Sequence, residues 1–170
     1  VAAAICLSLA VFTRQTFLLA APLASLVWLV SHNRKNALGF ALLLGGLWAA
    51  GFVLIHTASQ GGFYLHTVVA NVNQYEVSRT LAMLQQLAVI WSLALGLGAL
   101  AAGRALLLWV RELTGNKKSI LPPLSLMAGA AIYAVLALAS ALAVGKVGSD
   151  INYCLELIAA CAILVAALVA

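Results

Sequence analysis

The sequence predicts an all-α, polytopic transmembrane helix bundle of about six spans, with an interfacial juxtamembrane helix on its outer side. Three observations carry that prediction. Hydrophobic residues make up 65% of the chain and charged residues only 8%, where a soluble domain carries about 25%. Mean hydropathy is +1.13, and so few charges could not cover the surface of a soluble fold. The apolar runs are long and unbroken instead of alternating, which favours helices over a β-barrel as the way to satisfy backbone polar groups in lipid.

The first apolar run, 1–13, is interrupted by Arg14-Gln15-Thr16. A second span covers 17–31, with Pro22 in its first turns, where a proline is tolerated. The polar loop 32–36 leads to a third span, 37–56, whose Gly45, Gly46 and Gly51 are expected to let neighbouring helices approach closely. The stretch 57–80 mixes Val68, Val69 and Val72 with Tyr64, His66, Asn71, Asn73, Gln74, Glu76 and Arg79, a pattern suited to an amphipathic helix lying at the interface. The fourth span is expected over 81–102, continuing past Arg104 as a helical extension with Trp109 and Arg111. A turn at 115–119 precedes the fifth span, 120–144, with Pro122 and Pro123 in its first turn. The polar segment 145–153 opens into the sixth run, 154–170. All of this reads as one transmembrane domain, 1–170. Because the chain starts at Val1 and stops at Ala170, each inside an apolar run, it is expected to be a piece of a larger protein.

A net charge of +5 is explained here by membrane orientation, not by nucleic acid. One set of loops holds Arg34, Lys35, Arg104, Arg111, Lys117 and Lys118; the opposite set holds Arg14, Arg79 and Lys146. The richer set belongs on the cytoplasmic side. That leaves three polar segments, 14–16, 57–80 and 145–153, together on the outer side. Cys6, Cys154 and Cys161 show no CxxC spacing and no histidine at ligand spacing, so they read as buried apolar residues, and no metal site is indicated.

Candidate chemistry gathers at the outer boundary, where span-end charges are costly and often functional. Arg14, followed by Gln15 and Thr16, is either a snorkelling interfacial residue or a cation facing a phosphate. Lys146 precedes Gly148 and Ser149, so it can present a point charge to phosphate beside a close backbone approach, or it is part of a simple turn. Asn152, Tyr153 and Glu156 share one helix face. Glu156 needs a partner one turn into an apolar run, and Lys146 and Arg14 are the expected ones, unless it is simply a helix-start carboxylate favoured by the dipole. His66, with Tyr64 and Asn71, can contact a sugar or headgroup, or the aromatic residue is only an interfacial anchor.

The run Phe12-Thr13-Arg14-Gln15-Thr16 with Ala21-Pro22 resembles the Thr-Lys-Gln-Thr … Ala-Pro junction of bacterial polytopic glycosyltransferases of the GT-C superfamily, with Arg14 in place of the lysine. The stretch 62–67 with Asn71-Val72-Asn73 is similar to their outer juxtamembrane segment, and 146–153 with Glu156 to a late outer loop. In layout the chain resembles family 39 glycosyltransferases, protein O-mannosyltransferases and lipid A aminoarabinose transferases. The resemblance implies transfer of a sugar from a polyprenyl-phosphate carrier to an acceptor on the outer face of a bacterial inner membrane. It assigns the carrier phosphate to Arg14 and Lys146 and the sugar or acceptor pocket to His66, Asn152, Tyr153 and Glu156. It places the catalytic base, an acidic residue, upstream of Val1, so no catalytic residue is expected within this chain. Some enzymes of the superfamily use a divalent metal and others do not. Two other readings stand beside this one: a transporter or flippase, which would carry polar groups near the bilayer midplane, and a non-catalytic membrane subunit.

Overall fold

The computed structural model describes residues 1–70, 72–115, 124–147, 149 and 151–169. Asn71, the 116–119 turn with Lys117 and Lys118, Pro122, Pro123, Gly148 and Asp150 lie outside the described residues. The described chain is all-α. In order come α1 (Ala2–Thr13), α2 (Ala20–His32) with a 3-10 lead-in at Gln15–Leu18, and α3 (Arg34–Ala58). Next are the short α4 (Gly62–Tyr64), running into a wide turn at Leu65–Val69, then α5 (Val77–Ile90) and α6 (Ser92–Gly115). Last come α7 (Leu126–Ala141), which tightens into a 3-10 turn at Leu142–Gly145, and α8 (Leu155–Val169), preceded by a 3-10 turn at Ile151–Cys154.

Among the described residues, five helical stretches are long and apolar enough to cross a membrane: Gln15–His32, Arg34–Ala58, Ser92–Thr114, Leu126–Gly145 and Ile151–Leu168. The chain is a multi-pass membrane protein. The 12-residue α1 and the 14-residue α5 are shorter; at 1.5 Å per residue, α1 reaches roughly 18 Å across a hydrocarbon core of about 30 Å.

α7 sits at the centre, packed against α2, α6 and α8. Its buried stripe is entirely alanine: Ala128, Ala131, Ala134, Ala137 and Ala141. Lipid tails are as apolar as leucine, so burial alone does not drive helices together in a bilayer; close packing of small side chains does. Two glycines extend that logic. A β-carbon at Gly98 of α6 would meet the Cys161 sulfur of α8, and one at Gly129 of α7 would meet the Trp28 indole of α2.

Four expectations need correction. The fourth span is not one helix over 81–102: the backbone turns at Trp91 (φ −114°, ψ 22°), because α5 is tied to the 142–145 turn while α6 is tied to α8. Gly45 and Gly46 are not contact glycines, since a β-carbon at either meets nothing within 4 Å, and only Gly51 on α3 is crowded, by Phe12. Cys154 and Cys161 are buried as expected, but Cys6 faces outward. The 57–80 stretch is no continuous interfacial helix: α3 runs on to Ala58, a turn through Gly61 in the left-handed region (φ 89°) follows, and the chain is extended at Glu76 before α5 begins.

Candidate functional site

Arg14 marks the point where α1 stops. Its backbone is extended (φ −155°, ψ 117°), its amide still donates to Ala10 O at 2.8 Å, and its own carbonyl accepts from Phe17 at 3.2 Å. The chain therefore reverses around this one residue, leaving the guanidinium at the bundle end. It lies over the Tyr153 ring, 5.7 Å from the centroid, within the range of a cation–π contact. Tyr153 arrives on the short turn before α8.

Between them is a cavity of about 460 Å³, lined by Arg14, Gln15 and Thr16 from the α1–α2 junction, by Phe63 and Thr67 from the α4 segment, and by Asn152 and Tyr153. Three sequence-distant segments thus meet at one end of the bundle. Phe63 and Thr67 are four residues apart and so share a face. Phe63 packs against Phe12 and Phe52, with ring centroids 6.3 and 5.6 Å away, which gives the polar mouth an aromatic wall. The Asn152 Oδ1 atom is buried without a hydrogen-bond partner among the described residues. An unmet buried acceptor costs about 1–3 kcal/mol.

Beside the cavity, the chain is clasped. Tyr75 and Lys146 form an isolated antiparallel bridge. Glu76 N donates to Gly145 O, and Val147 N to Gln74 O, each at 2.9 Å. Asn73 Nδ2 donates to Val147 O at 2.9 Å, Arg79 Nη2 to Ser149 O at 2.6 Å, and the Tyr75 hydroxyl to Leu142 O at 3.1 Å. Thr80 Oγ1 donates to the Tyr75 hydroxyl at 2.8 Å. Gly145 sits inside this clasp; a β-carbon there would collide with the Tyr75 ring and the Thr80 hydroxyl. Ser149 closes it from the other side through short contacts to Val144 O and Lys146 O.

The sequence-predicted residues divide. Arg14, Asn152 and Tyr153 come together in the cavity. Lys146 does not line it; its backbone belongs to the clasp. His66 is exposed on the wide turn, while its neighbours Phe63 and Thr67 take the cavity face. Tyr64 packs edge-on against His56, at 6.3 Å. Glu156 is buried, only 3% exposed, and reaches neither Arg14 nor Lys146 for a partner. Its carboxylate accepts two long hydrogen bonds, from Ala21 N at the start of α2 (3.3 Å) and from the Tyr133 hydroxyl of α7 (3.5 Å). It lies three residues after Tyr153 and does not line the cavity. The sequence reading missed Phe63, Thr67 and Tyr133. Tyr133 had a signal: it is the only residue with a polar tip between Leu126 and Ala139 in an otherwise apolar run.

Among the described residues, no group of three His, Cys, Asp or Glu side chains gathers closely enough to hold a metal ion. Comparison with known proteins finds no matching family model, curated protein or solved structure.

Proposed function

We propose that this chain forms part of a membrane glycosyltransferase that takes a sugar from a polyprenyl-phosphate carrier and passes it to an acceptor on the outer face. The observation that supports this most is Arg14, a cation braced on Tyr153 at the mouth of a half-polar, half-aromatic cavity where bundle and water meet. In such a transfer the bond between the sugar's anomeric carbon and the carrier phosphate breaks, a bond to the acceptor oxygen forms, and the phosphate leaves with the electron pair. A fixed guanidinium steadies the negative charge that grows on the leaving phosphate. Gln15, Thr16 and Asn152 supply polar contacts to sugar hydroxyls, and Phe63 gives an apolar wall. A base must take the acceptor proton, and the resemblance to GT-C enzymes expects it upstream of Val1. Lys146 flanks this arrangement and is a weaker phosphate ligand than Arg14 in this reading.

Binding of polyprenyl phosphate to the protein in detergent tests the proposal. Arg14→Ala is expected to weaken binding at least ten-fold, on the order of the loss of one charge-assisted hydrogen bond of about 1.5–3 kcal/mol. Arg14→Lys should recover part of it, because a point charge replaces a planar fork. Equal binding by wild type and Arg14→Ala would sink the assignment. The alternative, a transporter or flippase of the same lipid, draws on the Tyr133–Glu156 pair inside the bundle. Substrate flux across proteoliposomes without sugar transfer would favour it.

A further inference from the structure

α2 begins where its own sequence offers no cap. Leu19, Ala20 and Ala21 carry no side-chain acceptor, and Leu19 at the N-cap makes no side-chain bond. Pro22 has no amide proton, and Leu23 N turns back onto Leu19 O at 3.0 Å. The opening amides of a helix need partners from elsewhere, and Ala20 is fully buried, so water does not serve this start. Ala21 N finds its acceptor 135 residues along the chain, at Glu156 Oε1, 3.3 Å away. Glu156 itself stands in the first turn of α8. The starts of two membrane-spanning helices therefore share one carboxyl group, an acceptor suited to the positive end of each helix dipole.

Each of these helices also carries one wall of the Arg14 cavity. Arg14, Gln15 and Thr16 lead into α2, while Asn152 and Tyr153 form the turn that runs into α8. Both helices pack on α7, and Tyr133 of α7 donates to the same Glu156 oxygen at 3.5 Å. We infer that Glu156 is a positioning residue: by holding Ala21 of α2 at the start of α8, it fixes the Arg14 wall against the Tyr153 wall and so sets the shape of the site offered to the phosphate. Glu156 is buried and does not line the cavity, so it acts without touching the ligand. A carboxyl group serving α8 alone would need no partner on α2; the cross-helix bond is what joins the walls. The phosphate part of this inference rests on the transferase reading, and the tie between the walls does not.

The test follows both parts in one set of variants. Spin labels are placed at Leu19→Cys and Leu155→Cys, exposed positions at the two helix starts, in a Cys6→Ser background that keeps the buried Cys154 and Cys161. With Glu156 present, the label-to-label distance is expected to show one narrow distribution. Glu156→Leu should broaden it, and Glu156→Gln, which keeps an acceptor oxygen, should restore it. Tyr133→Phe removes the other bond to that oxygen but no tie to α2, and should leave it narrow. If Glu156→Leu does not fold, Ala21→Pro removes the donor instead, at a first-turn position that tolerates proline, and should broaden the distribution in the same way. Polyprenyl phosphate binding to the unlabelled variants should weaken about five-fold in Glu156→Leu, on the order of one lost hydrogen bond, and hold in Glu156→Gln and Tyr133→Phe. A narrow distribution in Glu156→Leu or Ala21→Pro would overturn the tie, and so would equal broadening in Tyr133→Phe, which marks a general loosening of the core. Unchanged binding in a broadened Glu156→Leu, with Arg14→Ala weakened, would remove the positioning role. A broadened Glu156→Leu beside unchanged binding in Arg14→Ala would defeat the transferase reading and leave the tie standing.

Discussion

The two ends of this bundle use polar residues in different ways. At the end that carries Arg14, hydrogen bonds join parts of the chain about 70 residues apart: Asn73 to Val147, Arg79 to Ser149, Tyr75 to Leu142. At the opposite end, where α3 and α7 begin, they are mostly local. Asn33 caps α3 by accepting from Lys35 N and Asn36 N at 3.0 and 3.2 Å, and Ser125 caps α7 by accepting from Ala128 N. One long-range bond, Leu124 N to Ser31 Oγ at 3.1 Å, ties α2 to the segment before α7. The lesson is that polarity at the start of α3 and α7 serves helix ends, while polarity at the Arg14 end builds tertiary structure. The second kind holds side chains from distant parts of the chain in fixed relation to one another.

The sharpest way to break that contrast is at glycine. Gly145 lies inside the outer clasp, where even one methyl group strikes the Tyr75 ring and Thr80. Gly145→Ala is expected to cost about 3 kcal/mol, the upper part of the usual range for overpacking, and to lower the thermal midpoint in detergent. Gly45→Ala on α3 faces open space and should be neutral or stabilising by up to about 1 kcal/mol, from helix propensity alone. If both variants melt like wild type, the outer clasp contributes no stability and the two ends do not differ.

A smaller effect is expected one layer below the cavity. Glu156→Leu leaves Ala21 N and the Tyr133 hydroxyl without their shared acceptor. Unpaired buried groups cost about 1–3 kcal/mol each. Both bonds are long, however, and polar pairs inside membrane bundles average only about 0.6 kcal/mol, so a total near 2 kcal/mol is expected. Glu156→Gln keeps an acceptor oxygen and should recover most of the loss. Adding Tyr133→Phe to Glu156→Leu should cost less than the sum of the two single changes, as expected for side chains in contact. Strict additivity would show that the pair is not coupled.

The same contrast explains what could be seen in the sequence. Helical class and the grouping of 14–16, 57–80 and 145–153 at one end followed from apolar runs and from the loop positions of lysine and arginine, both one-dimensional signals. Partner choice did not. Glu156 reads as a carboxylate in search of a cation, yet α2 brings a backbone amide to it and α7 a hydroxyl, and a main-chain donor leaves no mark in the sequence. The break at Trp91 was hidden for a similar reason: neither glycine nor proline stands there, and the turn comes from two anchorages pulling on one apolar run. Small residues misled where they were densest. Gly45 and Gly46 sit side by side on α3 and touch nothing, while the tight helix contacts belong to the alanine stripe of α7 and to Gly51, Gly98 and Gly129.

The smallest predicted effect is at the end where α3 begins, and it tests whether polarity there is local. Asn33 has extended backbone (φ −156°, ψ 106°), and its side chain accepts from two of the first free amides of α3. Removing an N-cap costs about 1 kcal/mol. Asn33→Ala should therefore lower stability by that amount, and Asn33→Asp should retain it, since a carboxylate also suits the positive end of the helix dipole. Because the cap bonds only within its own helix, the loss should stay there. Hydrogen exchange should quicken at Lys35 and Asn36 and remain unchanged at Glu76 and Val147, whose amides are held by the outer clasp. Faster exchange at Glu76 or Val147 in Asn33→Ala would mean that the ends are coupled through the bundle, and the division drawn between them would fail.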